Sequence, residues 1–232
     1  MKIIMNHFSF LCLVLLLFAC GGESKTNTPT TTSEPQKKET PSKPKNQTTT
    51  QNILFFGNSL TAAYNLDIDD GFVSIIQNRM DSLGLNYKAI NAGLSGETSA
   101  GGKSRIDWII DRKAPDVFVL ELGANDGLRG LNLQATKENL QAIIDKVVAK
   151  NPKVKLVIAG MEAPPNMGKA FTTEFRSIFP ALAKKNDAAL IPFLLEDVGG
   201  IPALNLPDGI HPNVAGQKIV AENVWEVLKE VL

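Results

Sequence analysis

From Asn52 to the C-terminus, short runs of β-branched and aromatic residues alternate with longer segments whose apolar residues recur about every 3.6 positions, and this alternation leaves few architectures open. The run "NILFFG" (52–57) predicts a buried strand, and "GFVSIIQNRMDSLG" (71–84) puts Phe72, Ile75, Ile76, Met80 and Leu83 on one helical face. A second strand, "YKAINAG" (87–93), precedes a helical segment through "RIDWIIDR" (105–112). The third strand, "DVFVLELG" (116–123), is entered through Pro115. Next comes an amphipathic helix, "NLQATKENLQAIIDKVVAKN" (132–151), with Leu133, Leu140, Ile143, Ile144 and Val147 on one side and Asn151-Pro152 as its stop. The runs "KVKLVIAGM" (153–161) and "ALIPFLL" (189–195) predict strands four and five around a helix over 169–186, and a last helix begins at Val214. Strands alternating with helices at this spacing predict a parallel sheet covered by helices on both faces, the doubly wound α/β class.

In such a sheet, ligands sit outside the carboxyl ends of the strands. The segments just past the strands are therefore informative: "GNSLT" after the first, "NAGLSGET" after the second, "LGANDGLRG" after the third, and "DGIHPN" before the last helix. Ser59 is placed at the start of an expected helix, where the positive end would favour a developing anion. Such a position is also that of an ordinary N-cap serine. The chain has two histidines, and His7 lies in an apolar leader, so His211 is the imidazole of the folded part. As a general base it would face Ser59, with Asp208 turning back to hold Nδ1. The competing reading of "DGIHP" is a tight turn whose Asp208 caps the last helix. Gly93, which lacks Cβ, the Asn125 amide and the Ser59 N–H could serve as oxyanion donors. Turn glycine and loop asparagine are the plainer alternatives.

The N-terminus belongs to another regime. "MKIIMNHFSFLCLVLLLFAC" has Lys2, an apolar run from Phe8 to Ala19 and a small residue before Cys20, which predicts an export signal over 1–19. "LFAC" followed by "GG" resembles a bacterial lipoprotein lipobox, which implies that Cys20 is acylated and becomes the mature first residue. The chain has two cysteines, Cys12 and Cys20, so the mature domain would have no pair to oxidise. Residues 20–51 are Thr-, Pro- and Lys-rich and almost free of apolar side chains, which predicts a lipidated, disordered tether before the domain at 52–232. About thirty such residues have a root-mean-square span near 30 Å and a full reach of roughly 100 Å. Gly21 after Cys20 favours the outer membrane of a Gram-negative-type bacterium. With 24 basic and 24 acidic residues there is no electrostatic case for a nucleic-acid partner.

"FFGNSLTAAYNL", "NAGLSGET", "LGANDGLRG" and "DGIHPNVAGQ" together resemble the four blocks of the SGNH (GDSL-type) hydrolases, in order and across the whole folded part. The resemblance implies a flavodoxin-like three-layer α/β/α sandwich with a parallel sheet of about five strands. Its four namesake residues correspond to Ser59, Gly93, Asn125 and His211, and its Asp-x-x-His pair to Asp208 and His211. It implies an esterase acting on acyl esters, thioesters or lysophospholipids without a cofactor, most similar to the arylesterase, thioesterase and lysophospholipase branch. Asn58 stands where the family usually has Asp. A carbohydrate acetylesterase would use the same triad, and a non-catalytic lipid- or carbohydrate-binding lipoprotein is a reading from another class. Ser59 is followed by Leu60 and Thr61, so the Gly-x-Ser-x-Gly elbow of α/β-hydrolases is absent. One histidine and no mature thiol apart from a lipidated Cys20 do not supply an ordinary His- or Cys-rich zinc site.

Overall fold

The computed structural model describes residues 49–232. The expected export signal, the lipid site at Cys20 and the tether up to residue 48 lie outside the described residues. Five parallel strands, β1 (Gln51–Gly57), β2 (Tyr87–Gly93), β3 (Val117–Glu121), β4 (Lys155–Ala159) and β5 (Ala189–Ile191), form one sheet in the order β2-β1-β3-β4-β5. The helices are α1 (Phe72–Ser82), α2 (Ser99–Ile110), α3 (Ala124–Leu128), α4 (Leu133–Lys150), α5 (Lys169–Lys185) and α6 (Val214–Leu228). α1 and α6 pack together on one face, while α2, α4 and α5 cover the other. The three-layer parallel arrangement expected from the alternation is the one observed.

The buried strands read as continuous apolar runs because both of their faces are covered. Phe55 meets Phe72 of α1 edge-on at 5.9 Å between ring centroids on one face, and Phe56 meets Phe118 at 5.9 Å on the other. These four rings are at most 1% exposed, so they fix α1 and the sheet as one body.

Topology then places the site. β1 lies between β2 and β3, so the chain leaves the sheet in opposite directions after β1 and β3, and a crevice opens between their carboxyl ends. Three expectations are corrected here. No α-helix starts at Ser59: residues 58–65 form successive turns, and left-handed backbone at Ala63 (φ 54°) and Asn65 (φ 58°) prevents helical propagation. β5 stops at Ile191 and does not run to residue 195, because Pro192 offers no N–H to continue the ladder. α6 is capped by Asn213, whose Oδ1 accepts from the N–H groups of Ala215 (3.0 Å) and Gly216 (3.1 Å), and not by Asp208.

Candidate active site

The turn after β1 is held from within and from below. The Asn58 carbonyl accepts from the Ala62 N–H at 3.0 Å, the Asn58 side-chain Oδ1 accepts from the Leu60 N–H at 3.0 Å, and the Ser59 carbonyl accepts from the Tyr64 N–H at 3.1 Å. Ser59 rides on this turn with 8% exposure. Its hydroxyl lies 2.8 Å from Nε2 of His211.

His211 arrives from a loop closed on itself. An isolated antiparallel bridge joins Asn205 to Pro212, and the Leu206 N–H donates to the His211 carbonyl at 2.7 Å. Asp208 then sits three residues before the imidazole: its Oδ2 is 2.8 Å from Nδ1, and its Oδ1 accepts from the N–H groups of Ile210 (2.9 Å) and His211 (3.0 Å). Burial would push the Asp208 carboxyl up, but these bonds and the imidazole hold it lowered to about 2. On the other side, the Tyr64 ring packs over the imidazole at 4.5 Å between centroids. Nothing in the sequence pattern singles Tyr64 out, because its contact depends on the turn geometry that brings residue 64 back beside Ser59.

The expected oxyanion donors divide. Asn125 lies in the first turn of α3, and its Nδ2 donates one hydrogen to the Glu97 carbonyl at 3.0 Å. The second amide hydrogen is left for a ligand in the cavity that Asn125 lines together with Ser59. The Ser59 N–H has no partner among the described residues. Gly93 is different: its N–H donates to Asn91 Oδ1 at 2.9 Å and is not free for a ligand. A Cβ at Gly93 would overlap the backbone of Thr61 and Ala62, so the glycine is required where β2 presses against the underside of the Ser59 turn. Gly93→Ala is expected to destabilise the fold by about 1–3 kcal/mol through this overpacking, read as a lower denaturation midpoint, and to slow turnover by displacing the turn. Three residues on, Gly96 (φ 80°) is held by the Arg129 guanidinium on its carbonyl at 3.0 Å and has an N–H unpaired among the described residues. Its neighbour Glu97 pairs with Arg105, which also donates to the Ala92 carbonyl at 3.0 Å and so braces the loop.

One buried acid was not anticipated as part of the site. Glu121, at the end of β3 and 1% exposed, accepts from Asn58 Nδ2 (2.7 Å), the Asn58 N–H (3.0 Å), the Thr61 hydroxyl (2.7 Å) and the Thr61 N–H (3.3 Å). Burial pushes its carboxyl up to about 7 against the pull of these bonds. A lone acid in the apolar run "VFVLELG" was its only sequence trace.

Above Ser59 is a cavity of about 530 Å³, whose walls include Leu128, Met161, Pro164, Phe193, Leu195 and Ile210. Its walls are mainly apolar, and Asn58, Ser59, Asn125, Glu162 and His211 supply its polar side chains.

Consistent with this geometry, the model of the GDSL-like lipase/acylhydrolase family matches residues 55–219. The chain belongs to this family. As a family member it is an enzyme of the carboxylic ester hydrolase class. It is 40% identical to esterase TesA of Pseudomonas aeruginosa over 80% of its own length and 92% of that protein. It is 34% identical to the Escherichia coli protein named thioesterase 1/protease 1/lysophospholipase L1, over 73% of this chain and 79% of that one. The crystal structure of TesA superposes with a TM-score of 0.75 at 39% identity, covering 78% of this acylhydrolase and all of the other chain (100%).

Proposed function

We propose that this acylhydrolase is a serine esterase in which Ser59 is the nucleophile, His211 the general base and Asp208 its orienter. The observation that carries the reading is the unbroken chain of contacts from Ser59 Oγ to His211 Nε2 (2.8 Å) and from Nδ1 to Asp208 (2.8 Å), opening on an apolar cavity. Ser59 Oγ attacks the acyl carbonyl carbon and passes its proton to Nε2 as the C–O(acyl) π bond opens. The resulting oxyanion accepts hydrogen bonds from the Ser59 N–H, the free Asn125 amide hydrogen and the Gly96 N–H, which takes the place expected for Gly93. The imidazolium returns its proton to the departing alcohol or thiol, leaving an acyl-Ser59 ester. Water, deprotonated by the same nitrogen, then releases the acid and restores Ser59. No cofactor enters this cycle.

The apolar walls suit the acyl part of an ester or thioester better than the polar acyl site expected for a carbohydrate acetate. The names of the relatives, which include arylesterase, thioesterase and lysophospholipase, support the same substrate range. The lipobox-like "LFAC" and the polar segment after it support a domain tethered by acylated Cys20 to a membrane, the outer one being preferred. The test is a fluorophosphonate reaction followed by peptide mass spectrometry, with p-nitrophenyl esters from acetyl to palmitoyl assayed alongside. A phosphonyl adduct on Ser59 and turnover that rises beyond acetyl support the proposal. An adduct elsewhere, or activity confined to acetyl esters, overturns the nucleophile assignment or the acyl-ester assignment, respectively.

A further inference from the structure

The catalytic cycle makes no use of Glu121, yet this carboxylate is buried directly under the nucleophile turn and every bond it accepts comes from that turn. Gly57, its register partner on β1, leaves the space the carboxylate occupies, since a Cβ there would overlap both Glu121 Oε2 and the Thr61 hydroxyl. No Lys, Arg or second acid bonds or pairs with it among the described residues. A bare buried anion is costly, and four donors supplied by one four-residue turn are a specific way to hold it.

The arrangement has a direction. Glu121 Oε2 collects the Asn58 N–H, the Thr61 N–H and the Thr61 hydroxyl, while Oε1 faces a single donor, Asn58 Nδ2. In the ionised carboxylate Oε1 can only accept, so the Asn58 amide cannot flip, and its Oδ1 must point the other way. There Oδ1 accepts from the Leu60 N–H (3.0 Å) and stands 3.3 Å from the Ser59 hydroxyl, which turns to the closer His211 Nε2 at 2.8 Å. We infer that Glu121 is a positioning residue: through the Asn58 amide it fixes the orientation of the nucleophile turn and keeps the Ser59 hydroxyl aimed at His211. The inference rests on the assignment of Ser59 as nucleophile.

The pattern dictates a reciprocal test. In Glu121→Gln, the new amide hydrogens at the Oε1 position meet those of Asn58. The conflict is relieved if Asn58 turns over, which presents an NH2 group to the Leu60 N–H and to Ser59 Oγ. In the double variant Asn58→Asp/Glu121→Gln, the introduced glutamine donates through Nε2 to one oxygen of the introduced aspartate. The other aspartate oxygen again accepts from Leu60, and the glutamine Oε1 keeps the three donors. Only the charge has moved, from position 121 to position 58.

The full-length enzyme and its variants are compared for kcat and KM on one p-nitrophenyl ester, for the rate of phosphonylation of Ser59, and for thermal unfolding. Glu121→Gln is expected to lower kcat and the phosphonylation rate by roughly 100-fold with KM nearly unchanged, the scale of misplacing a reacting group by about an ångström. The double variant is expected to recover most of that loss. A Glu121→Gln enzyme with wild-type kcat overturns the inference, and so does a folded double variant no faster than the single. If Glu121→Gln does not fold, the double variant alone decides: kcat close to wild type supports the inference, and a folded but inactive protein overturns it. Ser59→Ala is run in parallel. Retained turnover there would remove the nucleophile assignment itself, whereas an inactive Ser59→Ala with an unaffected Glu121→Gln would remove only the role given to Glu121.

Discussion

Ser59→Ala is expected to lower kcat by about a million-fold while leaving the thermal unfolding midpoint within a few degrees of wild type, the scale seen when one member of a serine triad is removed. The physical reason is that alanine deletes the atom proposed to form the acyl-enzyme bond but disturbs almost nothing else. Apart from a long 3.3 Å contact with Asn58 Oδ1, the Ser59 hydroxyl contributes to none of the bonds that hold the turn: those run from Ala62, Tyr64 and Leu60 to Asn58 and Ser59 backbone or Asn58 side-chain oxygens, and from Asn58 and Thr61 to Glu121. Measurement of kcat on a p-nitrophenyl ester together with calorimetric unfolding checks both halves. A variant retaining a tenth of wild-type turnover would remove Ser59 from the mechanism. A variant that is inactive because it is unfolded would instead show that the turn depends on the hydroxyl, against the bonding pattern described.

Asp208→Asn is expected to lower kcat by about 10⁴-fold with KM little changed. Asn keeps Oδ1, so the bonds from the Ile210 and His211 N–H groups survive and the loop holds its shape. Its amide nitrogen takes the place of Oδ2, which lies 2.8 Å from His211 Nδ1. A donor at that place requires Nδ1 to accept, and the imidazole proton must then reside on Nε2. Nε2–H points at Ser59 Oγ and cannot remove its proton. Because the Asp208 carboxyl is held at about 2, it remains ionised throughout an ordinary assay range, so the loss reflects the tautomer and not a change in carboxylate charge with pH. Comparing kcat of the wild type and of Asp208→Asn across that range checks this, since the deficit should persist wherever the Asp208 carboxyl is ionised. A variant within tenfold of wild type would mean that Asp208 does not set the tautomer.

Much of the fold could be read from the chain because its signals are local. Strands buried on both faces are continuous apolar runs, and helices covering them carry one apolar stripe, so Phe55, Phe56 and Phe118 announced the sheet as clearly as Ile76 and Met80 announced α1. Where expectation failed, a non-local or conformational detail prevailed. The stretch after Ser59 has helix-compatible composition, yet Ala63 and Asn65 adopt left-handed backbone to bring Tyr64 against His211. "NAGLSGET" has two glycines, and residue identity does not say whose N–H is free. Asn91 occupies that of Gly93, and the Ser59 turn occupies the space beside its Cα, so the open donor falls to Gly96. Asp208 had two local readings, turn and helix cap, and Asn213 had already taken the cap.

By itself, the sequence determined which residue types stand at the carboxyl ends of strands, that those strands are parallel, and that serine, asparagine, aspartate and histidine were available there. Those properties follow from periodicity and from the short reach of backbone sterics. Only the tertiary structure decided that Ser59 and His211, 152 positions apart, lie within hydrogen-bonding distance, and that Glu121 sits beneath Asn58 across 63 positions. Those contacts depend on β1 lying between β2 and β3, an order fixed by how the whole sheet and its helices exclude water together, to which no single segment of the chain gives more than a part.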